Sequence, residues 1–130
     1  MKRELQLLEI GQIKLLWSPW YTWKDIDIDS RKKGTLKVPN RKSGVYEVRL
    51  VGKSKRLTIG KTNDLRYRVK QGLVRGKAPH SSGEKIRAFE DTSQIEIRWG
   101  QTNRPAAAEE ELHRLYCKLY GELPKYTEKT

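Results

Sequence analysis

Two short alternating segments joined by a turn constrain the fold of this chain more than any other feature. The segments are Gly44–Leu50 and Arg56–Gly60, and the connection Val51–Ser54 contains glycine, lysine and serine. Alternation of apolar and polar residues is typical of β-strands, and a connection this short joins antiparallel neighbours. The pattern therefore predicts a β-hairpin that brings Tyr46 and Gly60 close together.

The segments after the hairpin define the fold class. Their periodicity and capping residues predict a helix over 64–71, a short helix that begins at Ser81–Glu84, a strand over 94–100 and a long helix from Pro105 to about Tyr120. The resulting order is β-β-α-α-β-α. It predicts an α+β domain in which helices flank a small, three-stranded, mainly antiparallel sheet.

The chain divides into an N-terminal extension, residues 1–40, and the predicted domain, residues 41–130. The extension contains three of the four tryptophans, which are Trp17, Trp20 and Trp23. Two interpretations fit this cluster: the rings pack on the domain as part of its core, or they form a stacking surface for unpaired bases. The sequence leaves both open, and we expect the extension to pack on the domain.

The positive charge of the chain is concentrated in its middle third. The 130 residues include 28 Lys+Arg and 16 Asp+Glu, which gives a net charge of +12. The segment Arg31–Lys77 holds 16 basic and 2 acidic residues, whereas both flanking regions are nearly neutral. A local positive potential concentrates phosphate backbones, so we expect a nucleic-acid partner. A solvated basic face, or contact with anionic lipid, is the alternative.

The composition also sets an expectation for the cellular compartment. No apolar run approaches the roughly 20 residues needed to cross a bilayer, and the N-terminus lacks the features of a signal peptide. We expect no membrane partner and a cytoplasmic protein, either nucleoid-associated or from a phage or other mobile element. Cys117 is the single cysteine, which leaves no internal disulfide and no cysteine-based zinc site.

Two residues have the chemistry needed to act on a phosphodiester. Hydrolysis requires a group that activates or positions water, positive charge at the phosphate and stabilisation of the departing oxygen. Tyr46 lies among basic residues that would favour its phenolate form, so it can serve the first requirement. Arg68 can place two hydrogen bonds on a phosphate, a geometry that lysine cannot supply. A tyrosine in a strand is more commonly a packing residue.

Three consecutive glutamates follow the first turn of the predicted long helix. Helical periodicity places Glu109 nearer than Glu110 or Glu111 to the buried stripe that contains Leu112 and Leu115. Glu109 is therefore the best ligand for a divalent metal, Mg²⁺ or Mn²⁺, and Glu111 is the second choice. Acidic residues in the first turns of a helix also interact favourably with its dipole, which is the structural alternative.

Taken together, these pieces resemble the motifs of the GIY-YIG endonuclease family. Gly44–Tyr46 is similar to the first motif and Ile59–Gly60 to the end of the second, Arg68 follows eight residues after Gly60, and Glu109 resembles the metal-binding glutamate. The resemblance covers Ser43–Thr127. It implies a three-stranded sheet flanked by helices and metal-dependent cleavage of DNA, with Tyr46, Arg68 and Glu109 in catalytic roles.

The remaining matches and departures concern four positions. His80 begins a segment that resembles one found after the arginine in phage homing endonucleases of the family, which implies a role near the scissile phosphate. Thr58 stands where the second motif has tyrosine, and Thr127 stands where an asparagine is common. Lys61, directly after the second motif, is expected to replace the missing phenol by favouring deprotonation of water or of the first tyrosine.

The sequence thus predicts a metal-dependent DNA endonuclease. The alternative is a catalytically degenerate GIY-YIG-fold module that binds nucleic acid without cleaving it, and a third hypothesis is a single-strand RNA binder that uses the tryptophans. We expect double-stranded DNA as the partner; a monomer would nick, and a homodimer would cut both strands. The basic residues expected to contact DNA are Arg66, Lys70, Arg75, Lys77 and Lys42.

Overall fold

The computed structural model describes residues 6–10, 13–28 and 37–127, so residues 31–36 at the start of the basic segment Arg31–Lys77 lie outside the described residues. The strands are β1 Gln6–Ile10, β2 Ile13–Trp17, β3 Tyr21–Thr22, β4 Gly44–Leu50, β5 Thr58–Thr62 and β6 Ile95–Gln101. The helices are α1 Trp23–Asp27, a π-helix Tyr67–Val74, α2 Ser81–Phe89, a 3-10 helix Thr92–Gln94 and α3 Pro105–Tyr120. None of the helices in these ranges is long and apolar enough to span a bilayer.

The strands form one antiparallel sheet, so the predicted α+β class is confirmed. Five strands lie in the order β1-β2-β6-β4-β5, and the short β3 also pairs with β6. The sheet is larger than the three strands predicted, because residues of the extension join it. Trp17 pairs with Gly100, and Tyr21 pairs with Ile97, on the side of β6 that faces away from β4. Sequence periodicity does not reveal this pairing, since the partners lie about 80 residues apart.

The predicted hairpin is present with the expected register. Tyr46 pairs with Gly60 across β4 and β5, and with Trp99 across β4 and β6. The strand β4 is therefore central among the three strands that the sequence predicted. Backbone hydrogen bonds hold β4 to strands on both of its sides, which limits where the phenol of Tyr46 can lie.

Helices cover both faces of the sheet and create two buried clusters. The first cluster lies under α2 and the π-helix and includes Leu65, Val69 and Ile86. The second lies between the sheet and α3 and includes Leu15 and Leu112. The edge strand β5 separates the two helical layers, so residues from both layers approach each other along it.

The tryptophan cluster belongs to this framework. Trp17 is only 2% exposed, and Trp23 packs against the first buried cluster. Trp20 is partly exposed, but guanidinium carbons of Arg49, Arg98 and Arg56 lie 3.9, 4.6 and 5.0 Å from its ring centroid. These positions match the core interpretation and leave no open row of rings on which unpaired bases could stack.

We predict that Gly44→Ala destabilises the sheet. A Cβ at position 44 would lie against the carbonyl oxygen of Gly100 and 3.0 Å from Leu65 Cδ1. Overpacking of this kind costs about 1–3 kcal/mol, because backbone must move to relieve it. Gly100→Ala is the matched control, since its Cβ would make ordinary contacts of 3.4 Å or more. Urea denaturation measures both, and equal losses of unfolding free energy would contradict the prediction.

Candidate active site

A cleft of about 220 Å³ lies beside β5, where the two helical layers meet. It is lined by Tyr46, Thr58, Ile59, Gly60, Lys61, Arg68, Ser81, Ser82, Glu109, His113 and Thr127. Five of the six residues predicted to be catalytic are in this set, and they come from four elements of the fold, which are β4, β5, the π-helix and α3. The sixth, His80, lies behind the cleft in contact with Tyr46.

A hydrogen bond between Tyr46 and His80 forms the floor of the cleft. His80 Nε2 lies 2.9 Å from Tyr46 Oη, and the backbone N–H of Gly83 donates to His80 Nδ1 over 2.9 Å. Because Nδ1 accepts a hydrogen, the proton of the neutral ring is on Nε2 and is donated to Tyr46 Oη. The phenol keeps its own proton to donate to a water or a phosphate oxygen.

Glycines create the space that this pair needs. A Cβ at Gly60 would occupy the position of the Tyr46 phenol, so this position requires glycine. A Cβ at Gly72 or at Gly83 would come within 3.3 or 3.2 Å of the His80 ring. His80 itself caps α2 through its bond to the Gly83 amide, which fixes the imidazole at the start of the helix.

Burial sets the protonation of both groups. Burial raises the pKa of Tyr46 above its ordinary value, and the nearby Arg68 guanidinium opposes this shift without outweighing it. The resting group is therefore the phenol, in contrast to the expectation that basic neighbours would favour the phenolate. Burial, together with the positive charges of Arg68 and Arg87, lowers the pKa of His80 to about 3. The imidazole is neutral at physiological pH.

This geometry changes the role expected for His80. The ring is 5% exposed and both of its nitrogens already have hydrogen-bond partners. It is neutral and enclosed, so it does not reach a phosphate in the cleft. His80 positions Tyr46 instead, whereas the resemblance implied that it assists directly at the scissile phosphate.

Two cations line the cleft. Arg68 is half-buried, and its Nη1 donates to the carbonyl oxygen of Pro79 over 3.0 Å, which anchors the guanidinium in the wall. Lys61 is exposed at the cleft, one residue after Gly60. A single acidic residue, Glu109, is among the residues that line this space. Arg68 and Lys61 outnumber this carboxylate, so the cleft favours a negatively charged ligand.

The helix α3 places its glutamates differently. Glu109 is half-buried and lines the cleft. Glu111, the second choice as metal ligand, is absent from the cleft and forms an ion pair with Arg114 at 2.7 Å. Mg²⁺ is ordinarily held by one or two carboxylates with waters and phosphate oxygens, so the carboxylate of Glu109 fits such an ion.

His113 is a cleft residue that the sequence interpretation missed. It follows Glu109 by one helical turn, and its Nε2 lies 2.9 Å from the carbonyl oxygen of Ile59. The i, i+4 spacing of Glu109 and His113 was the available signal, since residues at this spacing share a helix face. Within the described ranges, no group of three or more His, Cys, Asp or Glu side chains is arranged to hold a metal ion.

The two threonines that differ from the resembled motifs, Thr58 and Thr127, contact each other. Thr58 is 2% exposed, and its Oγ1 lies 3.1 Å from Thr127 Oγ1. Thr127 Oγ1 also accepts a hydrogen bond from the backbone N–H of Ile59 over 3.1 Å. These bonds, together with the 2.8 Å bond from the Tyr126 amide to the Leu57 carbonyl oxygen, hold the C-terminal segment along β5.

The basic residues expected to contact DNA have different surroundings. Lys42 and Lys77 are exposed, and Arg66 is half-buried. Arg75 is exposed and pairs with Asp27 at 3.1 Å. Lys70 is 3% exposed within the π-helix, so the prediction that it contacts DNA does not fit its position. Helical periodicity misplaced it because a π-helix turns less per residue than an α-helix.

Comparison with known proteins adds no assignment to this geometry. No family model, curated protein or solved structure matches the chain. The functional interpretation therefore depends on the residues of the cleft, their protonation and their hydrogen bonds.

We predict that His80 makes the stability of the domain dependent on pH. Its pKa is about 3 in the folded state against 6.5 for an ordinary histidine, so the unfolded chain binds the proton first as the pH falls. The stability that neutral, buried His80 contributes to the folded state is fully present above about pH 6.5 and is lost progressively toward pH 3. Between these pH values, we expect the unfolding free energy to fall by roughly 1 kcal/mol for each unit that the pH decreases.

The matched variant is His80→Asn, which keeps a side-chain acceptor for the Gly83 amide but does not titrate. Urea denaturation of both proteins at several pH values measures the difference. The unfolding free energy of the wild type should fall more steeply with decreasing pH than that of the variant. Parallel curves would show that His80 does not titrate as its burial requires.

Proposed function

We propose that the protein is a metal-dependent DNA endonuclease of the GIY-YIG type that hydrolyses phosphodiester bonds. One observation carries the proposal: Tyr46, Lys61, Arg68 and Glu109 come from four different elements and line one cleft. These side chains offer a hydroxyl, two cations and a carboxylate, which are the groups that phosphodiester hydrolysis requires. Packing alone does not call for all four at one small surface.

The two cations bind the phosphate in this proposal. Arg68 is anchored to Pro79 and presents a planar fork that matches two phosphate oxygens. Lys61 adds a mobile point charge at the exposed side of the cleft. Exposed lysines such as Lys42 and Lys77 extend the positive surface and supply affinity that falls as salt rises.

Tyr46 positions the attacking water. Its Oη accepts a hydrogen from His80 and has one proton to donate, so it fixes the water through a bond of defined direction. The raised pKa makes the phenol a poor base at neutral pH, which favours positioning over proton abstraction. Hydrolysis adds the water oxygen to phosphorus, breaks one phosphorus–oxygen ester bond and leaves an alcohol and a phosphate monoester.

Glu109 holds the metal in this proposal. A divalent ion bound there supplies Lewis-acid stabilisation to the departing oxygen. Glu109 is half-buried and lines the cleft, and its partial burial limits the conformational freedom of the side chain. Mg²⁺ and Mn²⁺ both accept such a ligand.

A binding module without cleavage is the second function we consider, because of Thr58. The residue supplies no phenol, and its hydroxyl contacts Thr127 at 3.1 Å. In that case the cleft and the exposed lysines would bind DNA in a salt-dependent manner and yield no product. The two functions differ in a single observable, which is metal-dependent cleavage.

We predict that supercoiled plasmid is nicked in Mg²⁺ or Mn²⁺ and that Glu109→Ala reduces the rate by about 100-fold or more. Glu111→Ala should cut like the wild type, because Glu111 pairs with Arg114 outside the cleft. The exposed Glu110→Ala is the matched control on the same helix. Agarose gels report nicked and linear products over time. Intact plasmid with a gel shift that weakens with salt would establish the binding module.

We predict that Arg68→Lys slows cleavage by about 10- to 100-fold and leaves DNA affinity nearly unchanged. Lysine keeps the charge but cannot place two hydrogen bonds on the phosphate. Single-turnover cleavage and gel shifts at several salt concentrations separate the two effects. Lys118→Arg, at an exposed position of α3 outside the cleft lining, is the control. Equal cleavage by Arg68→Lys would rule out bidentate contact.

A further inference from the structure

His113 and Glu109 form a pair on one face of α3. They are four residues apart, which places their side chains on neighbouring positions of the helix surface. Both line the cleft, whereas Glu110 is exposed and Glu111 pairs with Arg114. The first half of α3 therefore directs one carboxylate and one imidazole to the same space.

The hydrogen bond to Ile59 fixes the tautomer of the neutral His113 imidazole. A carbonyl oxygen only accepts hydrogen, so His113 Nε2 donates to Ile59 O over the 2.9 Å that separates them. In the neutral ring this leaves Nδ1 with a lone pair. Among the residues that the structure describes, no second hydrogen bond to this ring is present.

This arrangement is the one that metal-binding histidines adopt. Such a histidine almost always donates its other ring N–H to a carboxylate, a backbone carbonyl or water, which fixes the tautomer and the ring orientation. Here the acceptor belongs to β5, whose neighbouring residues Thr58 and Gly60 also line the cleft. The strand that shapes the cleft therefore also orients the imidazole.

We propose that Nδ1 of His113 and the carboxylate of Glu109 are together the protein ligands of a divalent transition-metal ion in the cleft. An imidazole nitrogen favours transition metals, whereas Mg²⁺ strongly prefers oxygen ligands. The pair thus selects Mn²⁺ or Zn²⁺ over Mg²⁺ and leaves the other coordination positions to water and phosphate oxygens. The inference rests on the proposed function only in assigning Glu109 as a ligand.

A purely structural role for His113 makes a different prediction. The bond to Ile59 would then only hold α3 on β5, and metal affinity would not depend on the ring. His113→Gln separates the two roles, because the glutamine amide can donate to Ile59 O in place of Nε2 and offers no imidazole nitrogen. Urea denaturation verifies that the variant is folded before metal binding is measured.

The first experiment measures Mn²⁺ binding by electron paramagnetic resonance of the free ion, without DNA. We expect His113→Gln and Glu109→Gln each to weaken binding by about 10-fold or more, since loss of even an outer-shell partner costs 10- to 100-fold. Glu110→Gln, an exposed position on the same helix, should bind like the wild type. Binding by His113→Gln within twofold of the wild type, or no binding by the wild type, would overturn the proposal.

The second experiment reads the two ring nitrogens directly. The chain has only two histidines, so long-range ¹H–¹⁵N spectra resolve the ring signals of His113 and His80. The His113→Gln variant, which lacks one set of signals, assigns them. His113 should show the Nε2–H tautomer, and adding Zn²⁺ should shift its Nδ1 resonance while leaving that of the enclosed His80 in place. An Nδ1–H tautomer, or no shift of Nδ1, would contradict coordination.

The outcomes distinguish this proposal from the nuclease assignment. Intact plasmid together with Mn²⁺ binding that requires His113 would remove the nuclease and keep the metal site. Metal-dependent nicking together with a Mn²⁺ affinity that does not change in His113→Gln would support the nuclease and rule out His113 as a metal ligand.

Discussion

The hydrogen bond between Tyr46 and His80 is the contact on which the rest of the site depends. It joins the strand β4 to the N-cap residue of α2, and both partners are buried. Gly60 makes room for the phenol, and the Gly83 amide fixes the tautomer of the imidazole. His80 Nε2–H donates to the phenol oxygen, so the phenol retains its own proton and is oriented from the side of α2.

A second buried network shows how much of the positive charge is structural. Glu47 is 4% exposed and accepts hydrogen bonds from Arg98 at 2.8 Å and Arg56 at 3.1 Å. The same two guanidinium groups, with Arg49, surround the ring of Trp20 in the extension. These arginines lie in the strands or the connection beside them and hold the extension to the sheet. A count of basic residues therefore overstates the surface left for a polyanion.

Local patterns were sufficient for much of this molecule. Alternation predicted β4, and the turn residues that follow it predicted the pairing of Tyr46 with Gly60. Pro105 predicted the start of α3, and the helix ends at Gly121, whose left-handed conformation favours glycine. Such features depend on neighbours in the chain, so the sequence contains the information directly.

The sequence by itself determined the fold class, the hairpin register and the residue types available for phosphate chemistry. Only the tertiary structure decided that the extension enlarges the sheet, that Lys70 is enclosed and that His80 supports Tyr46 from behind. It also placed the imidazole of His113 against the carbonyl oxygen of Ile59. Each of these depends on contact between segments distant in the chain, and burial then sets protonation and access, which no local pattern specifies.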